Sequence, residues 1–320
     1  MTAPRVLAAI DCGTNSIRLL VSEVRADGTL RELTRENTIV RLGQGVDATG
    51  RFAPEALERV DAALGTYTDR MVDLGVSDVM MGATSATRDA ANREDFFALT
   101  RRHLGRIREG AVAEVVSGTE EAQFSFAGAV ADLGDLTDET VCVIDLGGGS
   151  TEFVVDGDRS WSADMGCVRL TERFLRPVPP TDAEVDAARA YVDELLATVN
   201  REVDLRSVTR VVGVAGTMTT LAAIELGLDH YDAAAIHRSR LPLGHLRETA
   251  RTLLHQTVEE RRAHPVMHPG RADVIGGGAV VVDAVASQFL AQGIDEITVS
   301  EKDILDGMLS AVVTRTATAG

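Results

Sequence analysis

The sequence predicts an α/β protein made of two similar lobes. Two short loops are near copies of each other, Ile10-Asp11-Cys12-Gly13-Thr14-Asn15-Ser16 and Ile144-Asp145-Leu146-Gly147-Gly148-Gly149-Ser150. Each lies between apolar runs of strand length, Val6–Ile10 and Ile17–Val21 for the first, Val141–Ile144 and Phe153–Val155 for the second. The copies stand 134 positions apart (145 − 11) in a chain of 320 residues, about the length of one domain. Repetition at that distance predicts two lobes facing a shared cleft. Each would present turn N–H groups and one carboxylate to it, which is equipment for holding phosphate and its metal ion. One such loop alone reads as well as an ordinary turn after a buried strand; two in register favour the paired reading.

The first lobe is expected over residues 1–130. Strands at Val6–Ile10 and Leu19–Val24 are followed by a turn at Asp27-Gly28 and a returning strand at Leu30–Val40. A helix follows from Pro54 to Leu74, with Leu57, Val60, Leu64, Met71 and Leu74 at helical spacing, Pro54 in its first turn and Gly75 past its end. Val79–Met81 and Val112–Val116 read as buried strands around a helix near Asp95–Leu104. A hairpin first and alternating helices later is the order of a ribonuclease-H-like lobe. The second lobe, expected over 131–320, repeats it, with strands at Val141–Ile144, Phe153–Val155 and Trp161–Ala163 around the turn Asp156-Gly157-Asp158. Pro177–Pro180 is a boundary loop before a helix over Ala183–Val199. Strands at Val211–Val214 and Ile297–Val299 follow, and a closing helix over Asp303–Val313 is placed to cross back onto the first lobe. The passage between lobes falls near residues 125–140, where Leu133-Gly134-Asp135 reads as a turn.

A hydrophobic fraction of 45% and a charged fraction of 25% are those of an ordinary globular protein. The sequence shows neither a signal-peptide core nor an apolar run of membrane-spanning length, so the cytoplasm is the expected location and no membrane partner is expected. Cys12, Cys142 and Cys167 are far apart and lack metal-site spacing; they read as buried fillers. A net charge of −17 argues against nucleic acid as a partner. It also means that any phosphate site must rely on local groups. Lys302 is the only lysine and no P-loop occurs, so those groups are arginines, backbone amides and metal.

Register makes the two loops differ in chemistry. The same offset that maps Asp11 onto Asp145 maps Arg18 onto Glu152. The first loop therefore suits phosphate oxygens, through Asn15, Ser16 and the nearby arginine. The second suits Mg²⁺ or Mn²⁺, through Asp145 and Glu152. Gly213-Val214-Ala215-Gly216-Thr217-Met218 is a third turn from strand to helix, where a helix N-terminus could meet phosphate or small residues could serve tight packing. Ser117 and Glu120 form a capping box, which gives Glu120 a structural role. Glu121 has no such role. In the first helical turn near the lobe crossing it reads as a general base, the alternative being a solvated helix glutamate. Arg88, after the strand Val79–Met81, reads as a phosphate contact or as a surface ion pair. Pro269–Asp273, followed by Gly276–Gly278, is a polar turn leading into an apolar helix and reads equally as packing or ligand contact. His264 and His268, interleaved with prolines, read as loop residues.

Taken together, Asp11–Ser16, Ala83–Arg88, Ser117–Ala122, Asp145–Glu152, Gly166–Leu170, Gly213–Leu221 and Pro269–Asp273 resemble the exopolyphosphatase/guanosine pentaphosphate phosphohydrolase family. That resemblance covers nearly the whole chain in order. It implies the actin, sugar-kinase and Hsp70 type of fold, two ribonuclease-H-like lobes with a cleft between them. It implies Glu121 as the catalytic residue and Asp145 and Glu152 as the metal carboxylates. It implies phosphate contacts at Gly13, Thr14, Asn15, Ser16, Arg88, Gly147, Gly148, Gly149 and Ser150, to which the chemistry of the first and third turns adds Asp11, Gly216 and Thr217 as expected phosphate contacts.

The implied reaction is metal-dependent hydrolysis of the terminal phosphoanhydride of inorganic polyphosphate, with Mg²⁺ or Mn²⁺ as cofactor. The chain is expected to be a short form without the C-terminal HD-like domains of the longer members, with short polyphosphate the expected substrate and a homodimer the expected assembly. Hydrolysis of pppGpp is the alternative within the family. A kinase of the same fold and a non-enzymatic (p)ppGpp sensor are the readings outside it; Glu121 speaks against the kinase.

Overall fold

The computed structural model describes residues 5–176 and 178–318; Pro177, placed by sequence in the boundary loop, lies outside the described residues. The chain divides into two compact units, Met1–Phe124 with Ile304–Gly320, and Ser125–Asp303. The division thus falls a few residues before the 130/131 boundary suggested by sequence, and the closing helix belongs to the first unit.

In the first unit the order is β1 (Arg5–Cys12), β2 (Ser16–Val24), β3 (Leu30–Ile39), α1 (Val46–Thr49), α2 (Pro54–Asp73), β4 (Asp78–Ala83), α3 (Ser85–Asp89), α4 (Arg93–Leu104), β5 (Glu114–Val115) and α5 (Gly118–Val130), whose later turns lie past the division. The sheet runs β3-β2-β1-β4-β5, antiparallel across the hairpins and parallel from β1 onward. Alternation along β1 sends Ala8, Ile10 and Cys12 into a core with α2 and α4. Leu7 and Ala9 go to the other face, against Ile304, Leu305, Met308 and Val312 of the closing helix. With both faces covered, β1 reads as a continuous apolar run. Helix α2 carries Pro54 in its first turn, and Gly75 just beyond its end takes φ +69°, the left-handed conformation a glycine accepts without strain.

The second unit contains β6 (Val141–Leu146), β7 (Thr151–Val155), β8 (Arg159–Ala163), α6 (Cys167–Phe174), α7 (Asp182–Val203), β9 (Arg210–Val214), α8 (Ala215–Glu225), α9 (Ala233–Ile236), β10 (Ser239–Pro242), α10 (Leu243–His255), α11 (Val258–Arg262), α12 (Ile275–Ala291) and β11 (Glu296–Val299). The remaining helix, α13 (Ile304–Thr318), is the closing helix of the first unit. The second sheet runs β10-β11-β9-β6-β7-β8. Cys142, Ile144 and Leu146 of β6 face the main core with Phe153 and Val155 of β7, which leaves Asp145 and Glu152 on the opposite face. All three cysteines are buried; burial pushes the Cys142 thiol up to about 12 and the Cys167 thiol up to about 11, so both are inert at neutral pH. Among the described residues, no helix is long and apolar enough to cross a membrane.

Arg261 is buried in this unit with its guanidinium spent on three carbonyls, those of Leu253, Leu254 and Ala272. It closes the C-terminal end of α10 and fixes the segment that leads into α12.

Candidate active site

Both loops are two-residue turns closed in the same way. Gly13 N–H donates to the Ser16 carbonyl at 2.9 Å, and Gly147 N–H to the Ser150 carbonyl at 3.0 Å. Behind the turns, Asp11 is directly paired with Arg18 across β1 and β2, and Asp145 with Glu152 across β6 and β7. Directly opposed residues of an antiparallel pair share a face, so each loop sets two functional side chains next to each other.

In the first unit the pair is an ion pair: Arg18 Nε and Nη2 donate to Asp11 Oδ2 at 3.0 and 2.7 Å. Asp11, a sequence-predicted phosphate contact, is therefore engaged with Arg18. The Thr14 carbonyl accepts from Gly43 N–H, and the Asn15 carbonyl from Val40 and Arg41 N–H. Because N–H and C=O point oppositely across a trans peptide, the amides of Asn15 and Ser16 face the other way. Thr14 Oγ1, Asn15 Oδ1 and, on α3, Thr87 Oγ1 are buried and lack hydrogen-bond partners. Buried polar atoms are normally satisfied, so the two on this one turn mark a place suited to a polar ligand.

Glu121 and Arg88 also belong to the first unit. Ser117 and Glu120 form the capping box read from sequence: Glu120 accepts from Ser117 N–H and Oγ at 2.9 and 2.7 Å, and Glu120 N–H donates to Ser117 Oγ at 3.2 Å. Glu121, the next residue, is only 8% exposed, which a solvated helix glutamate would not be. Arg88 Nη1 donates to Glu121 Oε2 at 2.7 Å and to the Val116 carbonyl at 2.8 Å. Its ion pair is thus with the candidate base, an arrangement neither sequence reading anticipated.

In the second unit the loop forms a nest. The carbonyls of Gly147, Gly148 and Gly149 accept from Cys167, Val168 and Gly166 N–H, at 3.0, 2.9 and 3.2 Å, at the start of α6. Arg169 Nε donates to the Gly149 carbonyl as well. By the same trans-peptide geometry, the N–H groups of Gly148, Gly149 and Ser150 point away from α6, a concavity suited to an anion. Gly166 is required for this contact, since a Cβ there would lie 2.3 Å from the Gly148 carbonyl.

The two carboxylates beside the nest are both buried, Glu152 completely. Ser125 Oγ donates to Asp145, and Ser162 Oγ, across from Glu152 on β8, donates to Glu152 Oε1 at 2.7 Å. Among the described residues no group of three or more His, Cys, Asp or Glu gathers around a metal position. Two carboxylates side by side nevertheless fit Mg²⁺ or Mn²⁺. Such hard cations take oxygen ligands, and Mg²⁺ commonly uses one or two carboxylates with water and substrate phosphate completing its shell. An all-oxygen donor pair of this kind favours such cations over metals that seek thiolate ligands.

The third loop is occupied by the protein's own cation. The Arg271 guanidinium lies against Gly216, where a Cβ would be 2.3 Å from Nη2, and Arg271 Nη1 donates to Thr220 Oγ1 at 2.5 Å. Thr217 packs against Gly278 of α12, where a Cβ would lie 2.7 Å from Thr217 Oγ1. Tight packing thus accounts for the small residues, while Arg271 supplies positive charge at the α8 N-terminus. Arg271, Ser125 and Ser162 escaped the sequence-based site. The only sequence signal was the polar turn at Pro269–Asp273, which contains Arg271.

The Ppx/GppA phosphatase family matches residues 20–315. Exopolyphosphatase 2 of Mycobacterium tuberculosis is 53% identical over 309 residues, covering 94% of this chain and 97% of its own. Among solved structures, an exopolyphosphatase-like protein superposes with a TM-score of 0.90 at 38% identity, covering 98% of this chain and 99% of its own. The Aquifex aeolicus member of the Ppx/GppA family superposes with a TM-score of 0.78 at 30% identity, covering 99% of both chains. With this match across most of its length, the chain belongs to the Ppx/GppA phosphatase family.

Proposed function

We propose that this protein is an exopolyphosphatase that hydrolyses the terminal phosphoanhydride of inorganic polyphosphate and releases phosphate. The observation that carries the reading is Glu121, a buried carboxylate with no part in the adjoining capping box and oriented by Arg88. The similarity to Exopolyphosphatase 2 of M. tuberculosis supports polyphosphate as the substrate class.

Glu121 takes a proton from a water molecule whose oxygen attacks the terminal phosphorus in line with the bridging bond. That bridging P–O bond breaks, its electron pair stays with the shortened chain, and phosphate leaves with the water oxygen. Glu121 then returns its proton to solvent. In the first unit the amides of Asn15 and Ser16 and the Thr14 hydroxyl are suited to phosphate oxygens, and in the second unit the amides of Gly148, Gly149 and Ser150 are. Asp145 and Glu152, braced by Ser125 and Ser162, would hold Mg²⁺ or Mn²⁺, which supplies neutralisation of phosphate charge.

The test is phosphate release from tripolyphosphate, long polyphosphate, pppGpp and ATP, each with Mg²⁺ and with Mn²⁺. Polyphosphate is expected to be the preferred class, with short chains ahead of long ones. Glu121→Gln is expected to lower kcat by about 10²–10⁴-fold while substrate still binds. Near-wild-type release from that variant would overturn the assignment, and a preference for pppGpp would move it to the other activity of the family.

A further inference from the structure

On the helical face of the second unit, three arginines converge on one carboxylate. Arg189 Nη1 of α7 donates to Asp283 Oδ2 at 2.6 Å, while Arg247 Nε and Arg251 Nε of α10 both donate to Asp283 Oδ1 at 2.7 Å. Arg189 Nε also reaches Asp193 Oδ1 at 2.9 Å. Three guanidiniums therefore share two carboxylates, leaving a local excess of positive charge on a chain whose net charge is −17.

Stability gives little reason for this arrangement. The arginine side chains are 28%, 30% and 50% exposed. Ion pairs at such exposure contribute about 0–1 kcal/mol each, and three like charges around one carboxylate repel one another. The donor geometry gives a better reason. Arg247 and Arg251 each use only Nε–H on Asp283, so the paired N–H groups of both forks remain for planar, bidentate recognition of another oxyanion. Beside Arg189 a groove of about 360 Å³ runs between α7 and α12, its polar lining supplied by Arg189, Asp193, Asn200, Ser287 and Gln288.

We propose that Arg189, Arg247 and Arg251 form an anion subsite for a phosphate-bearing ligand, with Asp283 holding the three guanidiniums in place until phosphate oxygens share them. The subsite does not depend on the hydrolytic reading, because it would bind phosphate whether or not Glu121 is the base. Its ligand is either the distal run of a polyphosphate chain or a free phosphorylated molecule seated in the groove.

The test is calorimetric titration of the full chain in EDTA, which suppresses metal-dependent turnover, with tripolyphosphate, long polyphosphate and ATP. Arg247→Gln/Arg251→Gln, which keeps both pairs of Arg189, is expected to bind at least one of these ligands about tenfold more weakly (an effect of about 1.4 kcal/mol). Asp283→Asn, which removes the competing carboxylate and keeps every arginine, is expected to bind it more tightly. Loss confined to long polyphosphate identifies the distal chain, and equal loss for all three identifies a free phosphorylated ligand. Should the double variant fail to fold, Asp283→Asn and Arg251→Gln alone carry the test. Unchanged binding in the folded variants would make the cluster a clamp between helices and overturn the proposal. These titrations are read without turnover, whereas the catalytic assignment is read from phosphate release by Glu121→Gln, so failure here is distinct from failure of that assignment.

Discussion

Arg88 Nη1 lies 2.7 Å from Glu121 Oε2, so the residue read from sequence as a phosphate contact and the one read as a base form a single ion pair. Both side chains are largely withdrawn from solvent, so removing one partner should be felt in the other. Arg88→Gln, Glu121→Gln and the double variant, compared by urea unfolding, are expected to show a coupling of about 1–2 kcal/mol. Strict additivity would mean that the contact contributes nothing to stability.

Asp145 and Glu152 are paired carboxylates in a buried setting. Glu152→Gln keeps the shape and can still meet Ser162, but it removes one negative charge. The metal-free variant is expected to melt above the metal-free wild type, and its melting temperature should respond at least tenfold less sensitively to Mg²⁺ concentration. A thermal-shift titration with and without EDTA measures both effects. An unaltered Mg²⁺ response would remove Glu152 from the metal site.

The glycines of the two loops should separate by substitution. Gly166→Ala brings a Cβ to 2.3 Å from the Gly148 carbonyl and is expected to cost more than about 2 kcal/mol while distorting the nest. At Gly13 the nearest atom to a Cβ is the Ser16 carbonyl oxygen at 3.6 Å, so Gly13→Ala should fold within about 0.5 kcal/mol of wild type. If the first loop binds phosphate, Gly13→Ala should instead raise KM. Unfolding curves and steady-state kinetics on the same two proteins distinguish the roles.

Among the described residues, Thr181 with Glu184 and Thr257 with Glu260 form capping boxes like that of Ser117 with Glu120, and together they make a pH prediction. Glu120 lies below its ordinary value because Ser117 Oγ, then Ser117 N–H, donates to its carboxylate. Glu184 and Glu260 are lowered by backbone and then side-chain hydrogen bonds from Thr181 and Thr257. A carboxylate whose folded value lies below its unfolded one stabilises the fold fully above the unfolded value, here 4.5, and loses that contribution as pH falls through the folded value. Urea midpoints should therefore drop below pH 4.5, and Glu120→Gln, Glu184→Gln and Glu260→Gln together should flatten that drop.

What was legible in the sequence was what repeats or punctuates. The Asp-x-Gly turns placed β1, β2, β6 and β7, and Pro54 with Gly75 bracketed α2 to within about a residue of its ends. The Ser117–Glu120 box gave the start of α5. Partners far along the chain were not legible. Arg88 and Glu121 are 33 residues apart, and Arg271 and Thr220 are 51 apart, so no local pattern announces either contact. Helix α10 passed unread between two turns, although Leu243, Leu246, Ala250 and Leu253 are buried at helical spacing. Helix α12 was legible only as an apolar helix after the turn at Pro269–Asp273; it is buried over most of its surface, and the narrow polar stripe at Asp283, Ser287 and Gln288 is too thin to mark its period. The charge on Arg271 was visible, but its position over Gly216 is a product of packing.

The contact between Gly166 and Gly148 has a consequence for anyone wishing to transplant this turn. The glycine carbonyls are held by residues 166–169, which follow the turn only after two further strands. The seven letters of the loop therefore do not encode its curvature by themselves. A graft of Ile144–Ser150 into another hairpin would carry the spelling and lose the shape, whereas residues 141–170 moved as one piece would carry both.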